Sequence, residues 1–200
     1  MHLPLTIALA LLTASAAAAQ EGPSFDCTKA GSSTETLICS DDGLAALDRR
    51  VAGRYAAARA AAGDGAAADE LRAVQRGWIK GRDACWQATD LRDCVEASYL
   101  RREAELVTQW MLEAPTGTAV WTCGDTPPEK VVTVFFDTTL PSLRFESGES
   151  VDSGTLVRTA SGAKYEGSFG RSIWMKGDTA RYRGPDPDGT EVTCVLASEE

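Results

Sequence analysis

Past residue 20 the chain contains no histidine; the one histidine of the 200 residues is His2. Histidine is the usual proton carrier of serine and cysteine nucleophiles and the commonest zinc ligand, so its absence excludes Ser–His and Cys–His catalysis and almost every zinc site. Cys-x2-Cys spacing is also absent. No apolar run reaches the roughly 20 residues that a membrane-spanning helix requires. A basic stripe is missing too: the formal net charge is −9, with Asp and Glu spread along the chain. Nucleic acid and anionic membrane surfaces are therefore poor partners, and a cationic partner suits the chain well. No metal and no cofactor are expected.

What is present starts with a short apolar run, Leu3, Leu5, Ile7, Leu9, Leu11 and Leu12, followed by Ser15-Ala16-Ala17-Ala18-Ala19. This reads as a secretory signal peptide over residues 1–20, cut beside Gln20. A lipid-anchored protein would carry a cysteine directly after that run, but the first cysteine is Cys27, in a Pro23-Ser24-Phe25-Asp26 context. The expectation is a periplasmic or secreted protein with no membrane anchor. Six cysteines follow, Cys27, Cys39, Cys85, Cys94, Cys123 and Cys194. An even number in an oxidising compartment reads as disulfides.

Two periodicities divide the mature chain. After an N-cap at Ser40-Asp41-Asp42, Leu44, Leu47, Val51, Tyr55 and Ala58 recur at helical steps until Gly63-Asp64-Gly65. A second helix begins near Ala67, carries Leu71, Val74, Trp78 and Ile79 on one face, and ends near Cys85. Thr89-Asp90 caps a third, with Leu91, Val95, Tyr99, Leu106 and Trp110 as its stripe. Glu113-Ala114-Pro115-Thr116-Gly117 breaks the period as a linker. Beyond it, residues 120–123, 130–136, 142–146, 154–158, 163–166, 172–176, 180–183 and 191–196 read as short strands between Gly, Pro and Asp turns. About eight strands at this spacing suggest a small antiparallel barrel or sandwich.

The fold class expected is thus α+β and multidomain: a disulfide-linked three-helix domain at 21–113, then a small antiparallel β-barrel at 114–200. Cys123 in the first strand and Cys194 in the last would close the barrel, Cys85 and Cys94 would join consecutive helices, and Cys27 and Cys39 would tie down the N-terminal segment. The alternative within the helical part is Cys27–Cys85 with Cys39–Cys94.

Three patterns look chemical and carry little. Ser161-Gly162-Ala163-Lys164 matches Ser-x-x-Lys, the nucleophile motif of penicillin-binding proteins and serine β-lactamases. Here it falls among short strands, Ser-Asp-Asn is missing, and Lys176-Gly177-Asp178 is no Lys-Thr-Gly. No carboxylate pair stands out for glycoside hydrolysis. Asp186-Pro187-Asp188-Gly189 begins like a calcium loop, but the later ligand positions fail, and a hairpin turn is the simpler reading.

The same region resembles the MliC/PliC family of C-type lysozyme inhibitors. Ser161-Gly162-Ala163-Lys164-Tyr165 is similar to that family's Ser-Gly-x-x-Tyr, and Ile173-Trp174-Met175-Lys176-Gly177-Asp178-Thr179-Ala180 to its Thr-Lys-Gly-x-x-Ala strand. Trp121-Thr122-Cys123 and Glu191-Val192-Thr193-Cys194 extend the likeness to both ends of the barrel; Met175 departs from the usual threonine. The resemblance implies a non-enzymatic protein whose partner is a C-type lysozyme. Ser161 would donate to one catalytic carboxylate and Lys176 would bring an ammonium to the other. Gly162 would allow close approach, Tyr165 would support the loop from behind, and Gly177 would adjoin the lysine. The rival function is an envelope binding or scaffolding protein with a degenerate inhibitor loop.

The helical part resembles the LprI N-terminal domain. The likeness rests on Phe25-Asp26-Cys27, Glu35-Thr36-Leu37-Ile38-Cys39-Ser40, Leu44-Ala45-Ala46-Leu47-Asp48 and a segment holding Arg76, Trp78, Lys80, Arg82, Asp83 and Cys85. Those last charged and aromatic residues could form a recognition face or a solvated helix surface.

Overall fold

A computed structural model describes residues 22–125, 127 and 129–197; the expected signal peptide lies outside them. Four α-helices come first: α1 (Ser33–Ser40), α2 (Asp42–Ala62), α3 (Ala66–Asp83) and α4 (Leu91–Trp110). The last three match the periodic segments, and α1 is additional. Its signal was local rather than periodic. The Ser32 hydroxyl accepts from the Glu35 amide at 3.1 Å while Glu35 reaches back to the Gly31 amide at 2.7 Å. This reciprocal arrangement resembles a capping box and starts a helix too short to display an apolar stripe.

Helices α2 and α4 are capped by Asp41 and Asp90, whose carboxylates accept from Leu44 and Asp93 amides at 2.9 Å. Asp41 also takes the Arg92 Nε–H at 2.8 Å, tying the start of α2 to α4. The Leu44 amide first, and Arg92 second, hold the Asp41 pKa below its ordinary 3.8. A depressed folded pKa means stabilisation that is present above pH 3.8 and lost as pH falls through the lower folded value. Asp41→Ala is expected to cost about 0.5–2 kcal/mol at neutral pH. That difference from wild type should shrink once pH drops well below 3.8; thermal melts of both proteins across this range check it, and a constant gap would contradict the capping role.

The helical core gathers Ile38, Leu44, Leu47, Val51, Leu71, Val95, Tyr99 and Leu106. Cys27–Cys39 joins the N-terminal segment to α1, and Cys85–Cys94 bridges the turn between α3 and α4. One sequence expectation fails in α3. Val74 and Ile79 are exposed, because the packed stripe runs Ala68, Leu71, Gln75, Trp78 and Arg82. Arg82 is buried, donating to Asp83 and, at 2.9 Å, to the Tyr99 hydroxyl, which in turn donates to Asp48 at 2.8 Å. Arg76 and Lys80 stay exposed. The five residues Arg76, Trp78, Lys80, Arg82 and Asp83 therefore do not form one surface: burying a guanidinium requires partners, and this one has them.

Eight strands follow: β1 (Gly117–Cys123), β2 (Glu129–Phe136), β3 (Ser142–Ser147), β4 (Ser150–Val157), β5 (Ala163–Glu166), β6 (Ser172–Lys176), β7 (Thr179–Arg183) and β8 (Glu191–Leu196). Each pairs antiparallel with the next, and β8 pairs with β1 to close a barrel, which leaves no sheet edge open. Trp121, Val131, Leu143, Phe145, Tyr165, Ile173 and Tyr182 fill it. Gly154 faces this interior; a Cβ there would lie 2.6 Å from the Phe145 ring. Cys123 is opposite Cys194 in the β1–β8 register and bonded to it.

The barrel packs against α4 through β3 and β4. Val107 meets Val134 and Phe136 in a small shared cluster. The Thr108 hydroxyl lies 2.8 Å from that of Ser153, and Arg144 donates to the Gln109 carbonyl at 2.9 Å, placing a cation at the C-terminus of α4. Arg50 spans the same boundary, pairing with the buried Glu103 at 2.8 Å and reaching Thr139 in the β2–β3 loop.

Candidate functional site

The loop 158–162 leaves β4 and returns as β5 at the end of the barrel where the β6–β7 turn also lies. Ser161 and Gly162 are exposed, and Gly162 has φ +73°, a left-handed conformation that favours glycine. A Cβ at Gly162 would run into the Met175 carbonyl and come within 2.8 Å of Lys176 Cγ. The loop thus lies directly on the end of β6, which is what brings Ser161, Gly162 and Lys176 together.

Lys176 ends β6 and is exposed; Gly177, at φ +59°, makes the turn into β7, and the Thr179 hydroxyl closes it by donating to the Lys176 carbonyl at 3.1 Å. Among the described residues Lys176 forms no ion pair. Its ammonium instead sits 4.0 Å from the Trp174 ring centroid. By contrast Lys164 pairs with Glu166 at 2.6 Å, and Arg181 with Glu191 at 3.3 Å. Lys176 is thus the cation of this group of three that rests on a ring rather than on a carboxylate.

Tyr165 is placed differently from the other four. It is buried on the inner face, opposite Ile173 and edge-on to Phe135 at 5.9 Å, and burial pushes its hydroxyl pKa up. Its side chain belongs to the barrel core rather than to the exposed surface that carries Ser161 and Lys176.

Two residues at this end were not singled out from sequence. Trp174 donates from Nε1 to the Ser161 carbonyl at 2.8 Å, and the Thr159 hydroxyl reaches the Ser161 and Gly162 carbonyls at 3.2 and 3.0 Å. The signal for Trp174 was its period-two relation to Lys176, which puts both on the outer face of β6. Beside them a shallow groove of about 380 Å³ is lined by Trp174, Lys176, Thr179, Ala180, Arg181 and Thr193.

Residues 27–106 match the family model for lysozyme inhibitor LprI, and residues 121–190 match that for membrane-bound lysozyme-inhibitor of c-type lysozyme, MliC. The two matches lie one after the other along the chain, the LprI match over the helices and the MliC match over the barrel. Lipoprotein LprI of Mycobacterium bovis and of Mycobacterium tuberculosis is each 40% identical over 85 residues, 42% of this chain and 41% of the relative. The match therefore spans about two fifths of the length of those relatives. Among solved structures, the PliC periplasmic lysozyme inhibitor of C-type lysozyme from Salmonella typhimurium is similar at 20% identity. That likeness covers 42% of this chain and 100% of the PliC chain, with a TM-score of 0.33. All five candidate binding residues, Ser161, Gly162, Tyr165, Lys176 and Gly177, fall among the residues that match the MliC model.

Proposed function

We propose that this protein is an exported, non-enzymatic inhibitor of C-type lysozyme, acting in the cell envelope, whose MliC segment presents the 158–162 loop and Lys176 to the lysozyme cleft. The observation that carries this reading is the meeting of Ser161, Gly162 and an unpaired Lys176 at one barrel end, together with two lysozyme-inhibitor family patterns on one chain. A C-type lysozyme works with two carboxylates, one held protonated and one ionised. A hydroxyl and an ammonium on one small protrusion address both without offering a cleavable bond. The net charge of −9 favours encounter with a basic protein. The test is lysozyme-driven lysis of bacterial walls, followed by turbidity. The mature protein should suppress it in proportion to its concentration; unimpeded lysis at an excess of folded protein would sink the reading.

The division into a helical domain at 21–113 and a barrel domain at 114–200 belongs to the same proposal. Among the described residues, the hydrogen bonds that hold the 158–162 loop and the β6–β7 turn come from barrel residues, so a fragment beginning at Thr116 should retain inhibition. It should also melt at a lower temperature than the full chain, because removing α4 uncovers Val134 and Phe136. A folded but inert fragment would mean that the helices contribute to the site.

A further inference from the structure

We propose that Trp174 is the positioning residue of this site, one side chain that fixes both the Ser161 loop and the Lys176 ammonium before any partner arrives. The proposal rests on the lysozyme-inhibitor reading and adds to it how the two contacts are held in register. The 158–162 loop lies between β4 and β5, outside strand pairing. Among the described residues, the only hydrogen bond it receives from another strand is the one from Trp174 Nε1 to the Ser161 carbonyl, at 2.8 Å. The face of the same ring carries the Lys176 ammonium at 4.0 Å. A lysine that ends a strand without an ion pair would otherwise sample many rotamers and lose that freedom on binding; resting it on an indole narrows the set beforehand. Gly162 completes the arrangement, because a Cβ there would run into the Met175 carbonyl and crowd Lys176 Cγ and, at 3.3 Å, Trp174 Nε1, so only a residue without Cβ lets the loop close down onto β6. The indole thus holds one element by its edge and the other by its face. Phenylalanine could keep the face and lose the edge; leucine would lose both.

Because Trp174 stands on the outer face and is only half-buried, its replacement should leave the barrel folded, which circular dichroism of the full mature chain checks. In the free protein, ring current from the indole should shift the Lys176 side-chain methylene protons upfield in NMR spectra. That shift should persist in Trp174→Phe and vanish in Trp174→Leu, while backbone relaxation at Ser161 and Gly162 should report a looser loop in both variants. Toward lysozyme, Trp174→Leu should weaken binding by about ten-fold or more. Lys176→Ala should then cost much less in the Trp174→Leu background than in wild type, since residues acting as one unit are not additive. Strictly additive losses would overturn the positioning role and make Trp174 a separate contact with lysozyme. Unshifted Lys176 protons in the free wild-type protein would overturn it whatever lysozyme does. Intact clamp signals in a wild type that fails to bind lysozyme would instead strike the inhibitor reading, and with it the purpose assigned to the clamp.

Discussion

Lys176→Ala is expected to weaken lysozyme binding by about 2–5 kcal/mol, roughly thirty-fold to several-thousand-fold, without unfolding the barrel. The size follows from what the complex would leave behind: an ionised carboxylate in a partly desolvated cleft, deprived of its counter-charge. Ser161→Ala removes a neutral donor and should cost less, about 0.5–1.5 kcal/mol. Both side chains are exposed, so neither change opens a cavity. Wild type and both variants can be compared by calorimetry, with circular dichroism as the folding control. On the proposed mechanism, binding should also fade as acid protonates the lysozyme carboxylate that Lys176 would face, and added salt should slow association. Unchanged affinity in folded Lys176→Ala would remove the mechanism and favour an envelope scaffold with a degenerate loop.

Breaking the Cys123–Cys194 bond should have the largest effect on stability. The bond closes 71 residues of chain, nearly the whole barrel, and a loop of that length corresponds to about 4 kcal/mol in the chain-entropy account. A barrel this small has little core to spare against such a loss. Replacing both cysteines by alanine is expected to lower the melting temperature of the barrel well below that of wild type. Reduction of the wild type should do the same, since both treatments release the β8–β1 seam on which closure depends. Melts followed through the barrel tryptophans Trp121 and Trp174 provide the measurement. A variant as stable as the parent would mean that strand pairing alone holds the seam.

Much of the architecture was written in local pattern. Leu44, Leu47, Val51 and Tyr55 recur at helical steps, the 163–166 and 172–176 segments alternate at period two, and Asp41 and Asp90 mark helix starts, because caps and periodicity depend on near neighbours. The cysteines on the first and last strands fitted a barrel that closes on itself. Ser161 and Lys176 were legible only through their resemblance to a family motif; alone, each reads as an exposed turn residue. What pattern could not supply was anything set by distant segments. Helix α4 from Arg102 to Thr108 is buried nearly all round, since it lies between the helical core and the barrel, and one stripe cannot announce two partners. Arg82 looks like a surface charge until Tyr99, seventeen residues away, comes within reach of its guanidinium. Trp174 looks like an aromatic strand residue until the left-handed Gly162 folds the Ser161 carbonyl onto its indole. Sequence determined which segments become helices and strands and which residue types are available; tertiary structure alone decided which of them meet, because hydrogen bonds and ring contacts act over a few ångströms and the chain must first be folded to bring their partners that close.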